Sequence, residues 1–168
     1  MAELMPKELL QPCLLDRLTD DSPQTSREGR NERVVSFRQF RQAVLRDLET
    51  LLNSKMRPFD DPIYSFERAA NSVLNYGIPE IYGRTTSGID PVELERLIRQ
   101  AIETFEPRIA AASLGVRVMV PKSHEATRSI VFEISGDLWA HPVPDHLLVE
   151  TEVDLESGHC ALRGEAVG

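Results

Sequence analysis

The spacing of apolar and polar residues predicts a first helix over the segment SFRQFRQAVLRDLETLLN, residues 36–53. Its apolar side chains recur every three or four positions and form one stripe, with arginines on the opposite side. The stripe consists of Phe37, Phe40, Val44, Leu48, Leu51 and Leu52. Ser36 and Gln39 have the spacing of a capping box, which sets the start of the helix. Asn53, with Pro58 beyond it, ends the helix.

The same kind of pattern predicts a second helix between Asp61 and Gly77. Asp61 can cap this helix and Pro62 fits its first turn, because a proline there loses no helical hydrogen bond. Gly77, followed by Pro79, ends the helix. The predicted inner stripe consists of Ile63, Phe66, Ala70, Val73 and Leu74.

A third helix is predicted to begin at Asp90, with Pro91 and Glu93 in its first turn. Its inner face carries six apolar side chains, namely Leu94, Leu97, Ile98, Ala101, Ile102 and Phe105. A residue before a proline disfavours the helical conformation, so Pro107 stops the helix and leaves Glu106 extended.

After Pro107 the period of the pattern changes from that of a helix to that of a strand. Three sets of residues alternate with more polar neighbours, namely Val116, Val118 and Val120; Ile130, Phe132 and Ile134; and Val149, Thr151 and Val153. Ser157 and Gly158 form a hairpin turn into a short strand near Cys160 to Leu162. The order of elements predicts an α+β fold, with three N-terminal helices packed on one face of a mainly antiparallel C-terminal sheet.

The first 33 residues differ in pattern from the rest of the chain. Four leucines lie at helical spacing there, namely Leu10, Leu14, Leu15 and Leu18. Residues 19–33, TDDSPQTSREGRNER, are polar and show no period. We therefore predict an N-terminal docking peptide and flexible linker over residues 1–33, and a single α+β domain over residues 34–168. The peptide either packs on its own domain or docks on a partner.

Composition limits the classes of function that the chain can have. With a formal net charge of −8 over 168 residues, the protein would repel a phosphate backbone, which argues against broad nucleic-acid binding. The sequence has neither a secretory signal pattern nor an apolar stretch that could span a membrane, so we expect a cytoplasmic protein without direct membrane insertion. The two cysteines, Cys13 and Cys160, form no paired motif and fit a reducing compartment.

The sequence offers no motif for catalysis, metal binding or cofactor binding. Its glycines form no phosphate-binding loop, and His141 and His146 lack the spacing of a zinc site. Cys13 lies in the predicted tail and Cys160 near the C-terminus, positions unlike that of a nucleophile in a shaped pocket. We expect no catalytic residue, no metal and no cofactor.

Two features indicate binding instead. In the segment ETFEPRI, residues 103–109, Glu106 and Arg108 would share one face of an extended segment that Pro107 stiffens. This triplet is either a rigid connector to a partner or a pair that braces the helix-strand junction internally. Trp139 lies between a predicted strand and two prolines, where it either caps the core of the sheet or anchors a partner.

Five blocks of the sequence, in this order, resemble the TssE family, a baseplate subunit of the bacterial type VI secretion system and a relative of a wedge protein from contractile phage tails. The blocks are LLDRLTDD (residues 14–21), LRDLETLLN (45–53), SVLNYGIPE (72–80), FEPRI (105–109) and GDLWAHPVP (136–144). The Glu-Pro-Arg motif of the family falls on Glu106, Pro107 and Arg108.

The resemblance implies a structural subunit in a hetero-oligomeric wedge with the baseplate proteins TssF, TssG and TssK. It also implies a docking platform from which the contractile sheath of TssB and TssC polymerises, a fold similar to the strand-exchanging domain of the sheath, and a baseplate at the cytoplasmic face of the inner membrane. The candidate partner-binding residues are Glu106, Pro107, Arg108, Leu14, Leu15, Leu18 and Trp139. Because the family has also carried a lysozyme label, the alternative is a small peptidoglycan-degrading hydrolase.

Overall fold

The structure is a computed structural model that describes residues 13–19, 36–80, 90–119, 129–139 and 145–165. Its helices are α1 (Leu14–Leu18), α2 (Phe37–Leu52), α3 (Glu67–Ala70) and α4 (Pro91–Phe105). Single turns of 3-10 helix occupy Pro62–Ser65 and Val73–Asn75. The strands are β1 (Gly115–Met119), β2 (Ser129–Leu138), β3 (Asp145–Asp154) and β4 (Cys160–Glu165). Leu10, Val120, His141 and most of the predicted linker lie outside the described residues.

The four strands form one antiparallel sheet in the order β1-β2-β3-β4. Phe132 of β2 lies opposite Thr151 of β3, and Ile134 lies opposite Val149, so these side chains share one face of the sheet. The turn between β3 and β4 contains Gly158 with a φ of 72°, a conformation that favours glycine. The α+β class and the turn at Gly158 are confirmed.

The buried face of the sheet packs against α2 and α4. The side chains that form this core are almost fully buried and belong to a single cluster, whose largest members include Leu48 and Leu52 of α2, Ile98 and Ile102 of α4, and Phe132, Ile134, Leu147 and Val149 of the sheet. The apolar residues at helical spacing and those at strand spacing therefore pack in one core.

The first and third predicted helices are confirmed together with their caps. The Ser36 hydroxyl accepts a hydrogen bond from the backbone N–H of Gln39, and the Gln39 side chain accepts one from the N–H of Ser36. The Asp90 carboxylate accepts from the N–H of Val92 at the start of α4. Helix α4 ends before Glu106, which has a φ of −124°.

The prediction of one continuous second helix is wrong. The segment forms three separate single turns, and Phe66 and Ser72 between them have extended φ angles of −122° and −108°. Short polar side chains start new turns there, because Asp61 binds the N–H of Ile63 and Ser72 binds the N–H of Leu74. The predicted inner stripe is not buried, since its members Phe66, Val73 and Leu74 are exposed.

We call residues 57–76 the elbow. Its shape depends on the buried side chain of Asn75, which accepts a hydrogen bond from the Arg57 N–H at 2.8 Å and donates one to the Ala70 carbonyl at 2.9 Å. Directly after the elbow, Gly77 has a φ of 130°, and a Cβ atom there would lie 2.5 Å from the backbone of Ser54. Only a glycine lets the elbow end so close to the C-terminal end of α2.

Candidate functional site

The leucines of the predicted docking peptide point into solvent. Leu14, Leu15 and Leu18 lie on α1 and are 71%, 58% and 74% exposed. The polar side of α1 faces α2, where the Asp16 carboxylate accepts a hydrogen bond of 2.6 Å from Nη1 of Arg46. The helix is thus attached by a charged contact and leaves its apolar side chains uncovered by the rest of the described chain.

Arg46 on α2 is shared between two carboxylates. Its Nη1 binds Asp16, while its Nε and Nη2 bind Oδ1 of Asp47 at 2.9 and 2.8 Å. The hydrogen bonds that Arg46 donates to Asp16 and Asp47 raise its pKa. Burial disfavours the charged form of Asp16, but hydrogen bonds from Cys13 and Arg46 outweigh burial and lower the pKa of this carboxyl. Both shifts favour the charged forms of Arg46 and Asp16 at neutral pH.

Arg108 of the Glu-Pro-Arg triplet is shared in the same way. Its Nε donates to Oε1 of Glu106 at 2.6 Å, and its Nη2 donates both to Oε2 of Glu106 and to Oδ2 of Asp47, the latter at 2.7 Å. The side chains of Glu106 and Arg108 meet as predicted, but the predicted extended segment is wrong. Residues 107–108 form a turn, in which the N–H of Ile109 donates a hydrogen bond of 3.2 Å to the carbonyl of Glu106. Glu106 is only 3% exposed, whereas Pro107 is exposed and Arg108 is half-buried.

The triplet combines an internal ion pair with an exposed proline. Burial opposes the charge of Arg108, but hydrogen bonds and charge attraction from Glu106 and Asp47 outweigh it and raise the pKa of the guanidinium. Burial, assisted by the charges of Asp47 and Glu106, also raises the pKa of the neighbouring Tyr76. A buried carboxylate such as Glu106 needs this partner, because an unpaired charge at that depth is costly.

Trp139 is 77% exposed, so the alternative in which it caps the core of the sheet is wrong. Its backbone N–H donates a 2.7 Å hydrogen bond to the carbonyl of Arg108. Directly before it, Leu138 is fully buried and forms an isolated bridge with Ile109. These contacts hold the backbone of Trp139 beside the Glu-Pro-Arg triplet.

Two residues of α2 that sequence reasoning did not select, Arg46 and Asp47, connect α1 to the Glu-Pro-Arg triplet, and Trp139 joins the triplet through its backbone. The connecting set, which we call the ion-pair chain, runs in order of contact through Asp16, Arg46, Asp47, Arg108 and Glu106. Both missed residues lie in the block LRDLETLLN, but on the polar side of the α2 stripe. In the sequence they appear only as charged residues outside the apolar stripe of α2. Their connection to Arg108 could not be predicted, because Asp47 and Arg108 are 61 positions apart.

Each edge of the sheet is occupied by a side chain at one position. On β1, the N–H of Val118 donates to Oε1 of Glu95 from α4 at 2.7 Å. On β4, the Asn53 carboxamide accepts from the N–H of Cys160 at 3.0 Å and donates to its carbonyl at 2.8 Å. Asn53 therefore makes the pair of bonds that a neighbouring strand would make. Leu162, two residues further along β4, directs the same backbone groups outward.

Two kinds of reactive group can be checked among the described residues, a metal centre and a nucleophilic thiol. None of their His, Cys, Asp and Glu side chains form a group of three that could hold a metal ion. Cys160 is fully buried, and burial raises the pKa of its thiol to about 12, so it is a poor nucleophile. Within the same part of the chain, no helix has the length and apolar character that crossing a membrane requires.

Comparison with known families identified a matching family model. The profile of a family described as baseplate wedge protein gp25 matches residues 38–143. That range begins in the first turn of α2, ends beyond β2, and contains Arg46, Asp47, the Glu-Pro-Arg triplet and Trp139. No curated protein and no solved structure matched the chain significantly.

Proposed function

The chain belongs to the baseplate wedge protein gp25 family, and from that premise we propose that it is a structural subunit of a type VI secretion system baseplate. The observation that carries this proposal is the family match over residues 38–143 of a chain of 168 residues. In the proposed role, the protein joins the wedge subunits TssF, TssG and TssK at the cytoplasmic face of the inner membrane. Its work is binding, so no catalytic residue, metal or cofactor is assigned.

We assign the wedge-binding surface to the exposed apolar side chains beside the ion-pair chain. Trp139, Pro107 and the leucines of α1 are exposed. Tryptophan is among the residues that contribute most to binding at protein interfaces, and burial of the leucines would remove apolar area from water. Arg108 lies among them and offers a planar donor group to a carboxylate or carbonyl of a partner. Glu106 and Asp47 hold this guanidinium in one orientation, which lowers the entropy cost of binding.

We assign sheath docking to the outer edge of β4. An edge strand can accept a strand from another chain, because its outward N–H and C=O groups continue the hydrogen-bond ladder. The outward groups of Leu162 support this assignment, and Asn53 fixes the end of the edge at Cys160. An added strand would then pair with β4 from Leu162 onward.

Co-purification from cells that express the wedge subunits tests the proposed surface. We expect the triple variant Leu14→Ser/Leu15→Ser/Leu18→Ser and the single variant Trp139→Ala each to reduce recovery of TssF and TssG at least tenfold, because an interface anchor typically contributes about 2 kcal/mol or more. The melting temperature should stay close to that of the parent protein, since all four side chains are exposed.

Val92→Ala is the matched control, because Val92 is 71% exposed and lies on α4, away from the ion-pair chain contacts. Its recovery of partners should equal that of the parent protein. Normal recovery by both surface variants would contradict the assignment of the surface. Release of soluble fragments from peptidoglycan by the purified protein, abolished by replacing one carboxylate, would instead favour the hydrolase.

A further inference from the structure

We propose that α1 can detach from the domain, and that its detachment is coupled through the ion-pair chain to the binding of an anionic group at Arg108. Asp16 and Arg108 are not joined by a hydrogen bond or an ion pair of their own among the described residues. Arg46 and Asp47 lie between them, and each makes ion pairs in both directions. A change at one end is therefore transmitted by two shared side chains.

The attachment of α1 is suited to release. The helix has five residues, too few to persist as an isolated helix in water. Among the described side chains, its polar contacts with α2 are the Asp16 ion pair and a long contact of 3.9 Å between Nη2 of Arg46 and Sγ of Cys13. The Arg46 side chain is 47% exposed, so solvent screens the pair and keeps it weak.

The sign of the coupling follows from the order of charges. Along the ion-pair chain the charges alternate, so Arg108 neutralises Asp47 and lets Arg46 divide its donors between Asp47 and Asp16. If Arg108 is neutralised, Asp47 competes more strongly for Arg46, and Asp16 also loses the attraction of a nearby positive charge. Docking of α1 weakens. If Asp47 is neutralised instead, Arg46 is left to Asp16 alone and docking strengthens.

An anionic group of a partner that binds Arg108 would act like the first change. Such a group would bind the guanidinium of Arg108 in place of Asp47. Asp47 would then pair more strongly with Arg46, and detachment of α1 would be favoured. Because coupling between two sites is reciprocal, capture of the leucines of α1 by a partner would equally favour anion binding at Arg108. The coupling belongs to the isolated protein, so its test does not depend on the proposed function.

Backbone amide chemical shifts of Leu14, Leu15 and Leu18 in the full-length protein provide the test. Arg46→Gln removes the attachment and defines the released position of each resonance. We expect Arg108→Gln to move the three amides along the line towards that position, with the released fraction rising about 5-fold, the lower end of typical couplings. We expect Asp47→Asn to move them in the opposite direction along the same line.

Arg99→Gln serves as the control for net charge, because it also removes one arginine, from an exposed ion pair with Glu103 on α4. It should leave the α1 amides in place. Unmoved α1 amides in both test variants would overturn the proposal, as would movement in the same direction in both. Movement by Arg99→Gln equal to that by Arg108→Gln would overturn it as well. Should Arg108→Gln fail to fold, the direction of the Asp47→Asn shift decides alone.

Discussion

The helix-sheet core and the elbow place the same type of residue in opposite environments. Phe132 in the core is fully buried, whereas Phe66 in the elbow is 66% exposed. The core holds its shape by packing apolar side chains of α2, α4 and the sheet. The elbow holds its shape by hydrogen bonds that converge on Asn75 and by the close approach of Gly77 to Ser54. Apolar content therefore drives folding in one region and is displayed to solvent in the other.

The largest effect is expected from a matched pair of phenylalanine substitutions. Phe132→Ala should lower the free energy of unfolding by about 3–5 kcal/mol, because it leaves a cavity in a closely packed core. Phe66→Ala should change it by less than about 0.5 kcal/mol, as exposed substitutions do. Urea denaturation of both variants measures the difference. Equal losses would mean that the elbow belongs to the core after all.

A pair of glycine substitutions tests whether the close approach of Gly77 to Ser54 stabilises the elbow. Gly77→Ala should lower the free energy of unfolding by about 2–4 kcal/mol. Residues with a side chain rarely adopt the backbone conformation of Gly77, and the added Cβ atom would clash with the backbone of Ser54. Gly115→Ala should cost less than about 1 kcal/mol, since its Cβ would meet only the movable hydroxyl of Ser135. Thermal denaturation measures both variants. A mild Gly77→Ala would show that the contact with Ser54 does not hold the elbow.

The smallest expected effect is a dependence of the unfolding free energy on pH. It arises in the core, which contains the Cys160 thiol, and not from the Asn75 side chain of the elbow, which does not titrate. Burial raises the pKa of the Cys160 thiol from near 9 to about 12, so the folded protein keeps a proton that the unfolded chain loses. The stabilisation is complete below pH 9 and is lost as pH rises towards 12. From pH 8 to pH 10 this thiol should cost about 1 kcal/mol of unfolding free energy.

The control for that measurement is Cys160→Ala, which removes the titrating group while other residues still ionise. Its urea stability should fall between pH 8 and pH 10 by about 1 kcal/mol less than that of the parent protein. An equal fall in both proteins would mean that the thiol is not buried in solution.

Local chemistry explains which elements the sequence could predict. Ser36, Gln39, Asp90 and Pro107 act within a few residues of themselves, and the helices that they delimit were predicted correctly. The elbow was predicted wrongly because its apolar spacing fits a helix, while Asp61 and Ser72 bind nearby backbone N–H groups and divide the segment into turns. Periodicity reports only which side chains would align if the backbone were helical.

The candidate site was predicted in its parts but not in its connections. Exposure of Trp139 and of the α1 leucines agrees with the binding features seen in the sequence, although their role in partner binding stays a prediction. The connection through Arg46 and Asp47 depends on contacts between residues far apart in the chain, which no local pattern records. A short motif such as Glu-Pro-Arg indicates that Glu106 and Arg108 can meet, but it does not indicate the second carboxylate that Arg108 binds, Asp47.

The side chains at the two sheet edges have a consequence for the protein before it meets any partner. Exposed strand edges are the usual starting points of amyloid-like growth, in which copies of one chain stack edge to edge. Glu95 and Asn53 already use backbone groups that such stacking would need at Val118 and Cys160. At these two positions a second copy of the chain cannot extend the sheet without displacing Glu95 or Asn53, whereas Leu162 on β4 still directs its N–H and C=O groups outward.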